Sequence, residues 1–297
     1  MRHLVGALLV ACLPDCINAR LLLRQQLHGC PVNGRVICQS GEVTVIANDA
    51  NERLLRFQDE CATESRVHCQ GDLQLQAGTC DGDCRECPCQ FDASKGLSAN
   101  YMQTMFQQLA PVCSNTGSSR ILMIGLGGAE LPQYLHAHCP QMFVEAVELN
   151  PAVIDVAQRY FGLASTEAAN ESAEHPRLVV EHGDAEAAVQ ERLQKSLHGQ
   201  YDAVLIDCFA GHGDVPETCR SESLAEGVRG ILKPGGLLLQ NIWDFSPNHP
   251  EVAEAFSSTV GLYSKVFGDQ LSVLEVPMPP RIAWVKVLRG EVVASTA

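Results

Sequence analysis

The sequence predicts an α/β protein: a doubly wound, mostly parallel seven-stranded sheet behind a small β-rich domain. Three observations carry this. From Arg120 onward short apolar segments alternate with stretches of helical periodicity. The segment ahead of them is rich in Gly, Asn, Asp and cysteine. Between the two lies one amphipathic stretch, about Ala99 to Leu109, with Tyr101, Met102, Met105, Phe106 and Leu109 at helical spacing. Alternation of strand and helix is the pattern of a parallel sheet covered on both faces.

In chain order, Met1-Arg2-His3 and the apolar run Leu4 to Leu13 have the layout of a secretory signal peptide, residues 1–19. The run is too short to span a bilayer, which needs about 20 apolar residues. The expected destination is the secretory pathway or outside the cell. The alternative is an organelle reached through a presequence that begins with this leader. Residues 20–97 are expected to be a Cys-rich β domain, with strands near Arg35–Cys38, Glu42–Ala47, Leu54–Phe57 and Leu73–Gln76. Of the 14 cysteines, eight lie between Cys30 and Cys89. That density behind a leader reads as a disulfide framework. A zinc site at Cys80, Cys84, Cys87 and Cys89 is the rival, and only Cys84 and Cys87 have a familiar zinc spacing. Asn170-Glu171-Ser172 is a glycan acceptor sequence.

Residues 98–290 form the larger predicted domain, followed by a tail, 291–297. Its strands are expected at Ile121–Ile124, Phe143–Glu148, Leu178–Glu181, Ala203–Ile206 and Leu237–Ile242, with a terminal hairpin of Leu271–Val276 and Ile282–Leu288. Helices are expected at about Ala129–Ala137, Pro151–Tyr160, Ala185–Leu197, Ser221–Leu232 and Glu251–Phe267. Asn150-Pro151 is a cap with proline at the first helical position. Lys233-Pro234-Gly235-Gly236 is expected to stop a helix and open a tight turn.

The chemistry gathers where strands end. Ile121-Leu-Met-Ile-Gly125-Leu126-Gly127-Gly128 is an apolar strand running into glycines, where backbone can approach a nucleotide and amides at a helix start stay free. Glu148 ends the next strand 23 residues after Gly125, near the interval at which an acid reaches ribose hydroxyls. Asp184 follows the third strand, with Ala185 opening the next helix, and Asp207 follows the fourth. Ligands of open α/β sheets bind outside the carboxyl ends of the strands, so these three acids should line one crevice. Asn241 closes the fifth strand. Thirty-five acidic against 21 basic residues give a formal charge of −14, which disfavours a nucleic-acid partner.

With the glycine turn, Ala146-Val-Glu-Leu-Asn-Pro151, Gly183-Asp184, Tyr201-Asp-Ala-Val-Leu-Ile-Asp207 and Leu232-Lys-Pro-Gly-Gly236, the chain resembles the spermidine synthase-like branch of the class I S-adenosylmethionine-dependent transferases. Glu42 to Phe57 and Tyr101-Met-Gln-Thr-Met are similar to that family's amino-terminal hairpins and tyrosine-bearing helix. The resemblance implies a Rossmann-like methyltransferase sheet. It implies that Gly125, Gly127, Glu148, Asp184 and Ala185 hold S-adenosylmethionine or its decarboxylated form, and that Asp207 is the catalytic acid. The implied reaction moves an aminopropyl or methyl group to a small-molecule or protein amine, with no metal. A homodimer is compatible with it.

Two departures bear on the acceptor. The family's acid in the glycine turn is missing from Gly127-Gly128-Ala129, leaving Glu130 one turn later. The second acid beyond the catalytic one is Ala210. His212 and Asp214, in the same loop, and Asn241 are the candidate acceptor contacts. Strand four also lacks the Asn/Asp-Pro-Pro-aromatic run of many amino-methylating enzymes. The competing expectation is a secreted, disulfide-stapled binding protein with a non-catalytic nucleoside fold.

Overall fold

A computed structural model describes residues 34–57, 63–70, 89–164, 177–209, 214–246, 249–278 and 285–293. The leader, the glycan acceptor, the strand expected at Leu73–Gln76, Cys80, Cys84, Cys87 and His212 all lie outside these residues.

Four antiparallel strands form the first sheet in sequential order: β1 (Arg35–Ser40), β2 (Val43–Ala47), β3 (Glu52–Phe57) and β4 (Ser65–His68). One face is apolar: Ile37, Val43, Val45, Leu55 and Val67 are fully buried against Val153, Val156, Tyr160 and Phe161 of the larger unit. The small sheet therefore gets much of its core from a helix of its neighbour. A sheet of this size is marginal alone. The expected strands near Arg35, Glu42 and Leu54 are present with shifted ends, and β4 is an addition.

The second sheet has seven strands: β5 (Ser119–Ile124), β6 (Met142–Glu148), β7 (Leu178–His182), β8 (Tyr201–Ile206), β9 (Leu232–Trp243), β10 (Ser272–Glu275) and β11 (Val285–Glu291). Their order is β10-β11-β9-β8-β5-β6-β7, parallel from β9 to β7 and antiparallel through β11 and β10. The chain builds β5, β6 and β7 outward on one side and then crosses to β8 on the other. The point between β5 and β8 is thus the crevice of a doubly wound sheet. β5, β6 and β8 are apolar because helices cover both faces: Ile121, Met123 and Leu205 face one core, and Leu122, Ile124 and Ile206 the other.

Seven α-helices occur among the described residues: α1 (Asn100–Gln108), α2 (Ala110–Cys113), α3 (Glu130–His138), α4 (Pro151–Tyr160), α5 (Ala185–Gln194), α6 (Glu222–Ile231) and α7 (Glu251–Phe267). Their starts follow the sequence signals. The side chains of Asn150, Asp184 and Ser221 accept the amides of Ala152, Ala187 and Leu224 and so cap α4, α5 and α6.

α6 stops at Ile231 as expected, and the Lys233-Pro-Gly-Gly turn falls one residue inside the strand that follows. It lies within β9, where pairing with β8 jumps from Tyr201↔Leu232 to Ala203↔Leu237. The four residues are a bulge, and Gly235, at φ +80°, supplies the left-handed conformation it needs.

Disulfides join Cys69 to Cys89, Cys113 to Cys139 and Cys208 to Cys219, and Cys38 is also disulfide-bonded. The covalent framework therefore extends past the small domain into the large one. Among the described residues no helix is long and apolar enough to cross a membrane.

Candidate active site

A cavity of about 890 Å³ opens at the carboxyl ends of β5, β6, β7, β8 and β9, with the small sheet forming its far wall. It is large enough for a nucleoside with a second small ligand beside it.

Glu148, Asp184 and Asp207 all line the cavity, as do Gly125, Gly127, Ala185 and Asn241. The strand ends bring them together. The Asp207 amide donates to the Ile124 carbonyl at 2.8 Å, Gly125 to Val147 at 2.9 Å and Gly183 to Glu148 at 2.9 Å, so adjacent strands end side by side. Gly125 has φ +88°, and a Cβ there would collide with the Asp207 carbonyl. No other residue allows β5 and β8 to turn away from each other this closely.

At one end, Glu148 accepts the Leu126 amide (2.9 Å) through Oε2 and the Asn150 amide (2.8 Å) through Oε1. Burial pushes its carboxyl up, while amides, those of Gly127 and Leu149 included, pull against that shift. Of the about four acceptor directions of a carboxylate, the Leu126 and Asn150 bonds take two. Leu149, 60% exposed, lines the cavity beside it and offers an apolar surface for a base. Asp184 lines the same end but also caps α5, its Oδ1 accepting the Ala187 amide at 3.0 Å.

At the other end, Asp207 sits at the cavity floor between two donors. Tyr101 Oη donates to its Oδ2 at 2.7 Å and Asn241 Nδ2 to its Oδ1 at 3.0 Å. Burial raises the Asp207 carboxyl above its ordinary range, and these two bonds oppose the shift. The Tyr101 hydroxyl is pushed well up by burial and by the negative charge of Asp207, so it remains a donor. Asn241 is 3% exposed, and its Oδ1 has no partner among the described residues. An unsatisfied buried acceptor on a cavity wall fits a ligand that brings an N–H or O–H.

Tyr101 is the site residue that sequence reasoning placed on a helix without a partner. α1 buries Met102 and Met105 in the core, and this packing aims the neighbouring Tyr101 at a strand end 106 residues away. Phe209 and Trp243, with ring centroids 5.8 Å apart, wall the cavity beside Asp207. Phe57, Thr63 and Glu64 face them from the small sheet's side.

Two expectations do not fit this geometry. Asp214 is exposed and absent from the described lining residues. Glu130 does not replace the missing acid. It is 2% exposed, and its carboxylate is taken by Ser98, whose amide and hydroxyl donate at 2.7 and 2.6 Å. At Gly128 a Cβ would lie 2.8 Å from Phe161 Cδ1, so a larger residue there would displace packed side chains.

Desolvation raises Glu130 to about 7, which gives a prediction. A carboxyl whose folded pKa exceeds its unfolded value stabilises the fold below the unfolded pKa of 4.5, and that contribution is lost as pH rises through about 7. The stability curve should fall between pH 5 and 8 by up to ~3 kcal/mol. Glu130→Gln should flatten it in denaturant titrations.

Residues 101–288 match the family model of the spermine/spermidine synthase domain. The chain belongs to this family. Among relatives, it is 28% identical over 162 residues to the polyamine aminopropyltransferase of Vibrio vulnificus (strain CMCP6), covering 54% of this chain and 50% of that protein. It is 25% identical over 127 residues to the eEF1A lysine and N-terminal methyltransferase of Bos taurus, covering 41% of this chain and 17% of that one. The chain thus spans half or less of these relatives. Among solved structures, a probable spermidine synthase from Corynebacterium glutamicum ATCC 13032 superposes with a TM-score of 0.59 over 90% of this chain and 84% of that chain, at 17% identity. At that identity the likeness establishes the fold: a seven-stranded Rossmann-like sheet preceded by a small antiparallel one.

Proposed function

We propose that the protein is a transferase that moves an aminopropyl or methyl group from an adenosyl sulfonium to an amine acceptor. The observation that carries this is Asp207 at the cavity floor, fixed by Tyr101 and Asn241 beside an unsatisfied Asn241 oxygen. S-adenosylmethionine, or its decarboxylated form, would supply a carbon made electrophilic by the attached sulfonium. Glu148 and Leu149 are the residues suited to its ribose and base, with Gly125 and Gly127 giving backbone access.

The lining supports a cationic pair of ligands. Glu42, Glu64, Glu148, Asp184 and Asp207 line the cavity, and no Lys, Arg or His is among its described lining residues. Ammonium and sulfonium groups gain from that field, whereas an anionic acceptor is repelled. An amine must lose a proton before attack. Asp207 accepts it, and its raised pKa brings the carboxylate closer in basicity to the amine. Asn241 Oδ1 orients the nucleophile by accepting an N–H. Phe209 and Trp243 keep water from the reacting nitrogen. The assembled donors on Asp207 favour catalysis over a binding protein. The disulfides support an oxidising working compartment, which imaging of the full chain with a C-terminal tag would test.

The test is incubation with each donor and a panel of diamines, polyamines and lysine peptides, read by mass. A gain of one methyl or one aminopropyl group supports the reading; nucleoside binding with no product from any pair contradicts it. Asp207 must be ionised to act, so turnover should rise with pH along a limb above the ordinary carboxylate range. Tyr101→Phe removes a bond that favours the ionised form and should move that limb to higher pH.

A further inference from the structure

Up to its carbonyl, Asp207 is fixed by the sheet, through the bond to Ile124 and the close contact at Gly125. Beyond it, Cys208 leaves the strand, and the tie there is covalent. Cys208 is bonded to Cys219, 11 residues on. Cys219 is 1% exposed, and its carbonyl accepts the Gln240 side-chain amide at 3.2 Å. Gln240 is fully buried in β9 and precedes Asn241, whose amide returns to Asp207 at 3.0 Å. The path from Asp207 through Cys208, the disulfide, Cys219, Gln240 and Asn241 closes on Asp207 again. Both half-cystines line the cavity.

We propose that the Cys208–Cys219 disulfide is a positioning element of the transfer step, setting Asp207 against Asn241, so that its reduction disables transfer while sparing donor binding. This rests on Asp207 being the proton acceptor. The separation follows from the topology: Glu148, Asp184 and the glycine turn belong to β5, β6, β7 and their following turns, none of which lies on the ring. A dithiol reductant balances the chemistry. It gives two electrons and two protons, the S–S bond becomes two thiols, and the reductant closes to its own cyclic disulfide. The titratable groups around the Asp207–Tyr101 pair are Glu64 beside β4 and Glu130 on α3, and neither is attached to the ring. Loosening the ring therefore acts on Asp207 through the Asn241 bond that closes it.

The experiment compares oxidised wild type, wild type treated with dithiothreitol, Cys208→Ser/Cys219→Ser, and Cys113→Ser/Cys139→Ser as a disulfide control away from the site. Three readouts are taken on each: methylthioadenosine affinity by calorimetry, turnover against pH, and the Asp207 carboxyl titration by carbon NMR. For the 208/219 variant and the reduced protein we expect turnover to fall by about 10²-fold, as for a misplaced catalytic group. Nucleoside affinity should hold, and the Asp207 titration should move further up, because the Asn241 bond that favours the ionised carboxylate is lost. The control should keep all three. An unchanged Asp207 titration in the 208/219 variant overturns the proposal, as does a parallel loss of nucleoside affinity. If oxidised wild type transfers nothing, the reading of Asp207 as base fails by itself, and the NMR and calorimetry still decide whether the disulfide positions the carboxylate.

Discussion

Replacing Asp207 with Asn lowers turnover by ~10²–10⁴-fold, the range for losing a positioned general base, while leaving nucleoside affinity within about twofold. The expected split follows from where the residue sits. Asp207 is at the acceptor end, its two oxygens held by Tyr101 and Asn241. Asparagine keeps the shape and can still accept one of those bonds, so the floor of the cavity should survive. It cannot take a proton from an ammonium. Steady-state rates with calorimetry on the same preparations check the prediction. Equal losses in both would mean that Asp207 holds the donor and that another group handles the proton.

The second large effect is at the opposite end. Glu148→Ala should cost about 1.5–3 kcal/mol of nucleoside affinity, the value of charge-assisted bonds to hydroxyls. The same change removes the acceptor for the Leu126 and Asn150 amides, so part of the loss comes from a loosened glycine turn. Glu148→Gln separates the two parts. It keeps one oxygen for the backbone and loses the charge, and its affinity should lie between wild type and alanine. Calorimetric titration with methylthioadenosine measures all three. An alanine variant that binds as tightly as wild type would remove Glu148 from the site.

The donor end was legible in the sequence because its signals are local. A strand that ends in glycine and a strand that ends in glutamate need only the parallel order to place Gly125 beside Glu148, and short apolar runs separated by helices imply that order. Asp184 was legible as a crevice acid, and the structure shows it capping α5 as well. The acceptor end was less legible because it is built from distant parts. Nothing around Tyr101 indicates that its hydroxyl reaches Asp207, since the contact depends on α1 packing its methionines under the sheet. Likewise, four scattered cysteines carry no pairing information until the fold brings Cys113 to Cys139 and Cys208 to Cys219. Ser65–His68, with three polar residues in four, lacks an apolar pattern, yet it pairs with β3 and carries Val67 into the core. Lys233-Pro-Gly-Gly was legible as the stop of a helix but not as part of a strand, because the residues that make a turn also make a bulge, and only pairing with β8 decides which.

A crystal structure of the protein soaked with methylthioadenosine tests the central claim most directly. The account predicts density at the carboxyl ends of β5 and β6, with ribose hydroxyls on the Glu148 carboxylate, the base over Leu149, and the sulfur end toward Asp207. Nucleoside density at any other surface, with this cavity filled only by solvent, would contradict it.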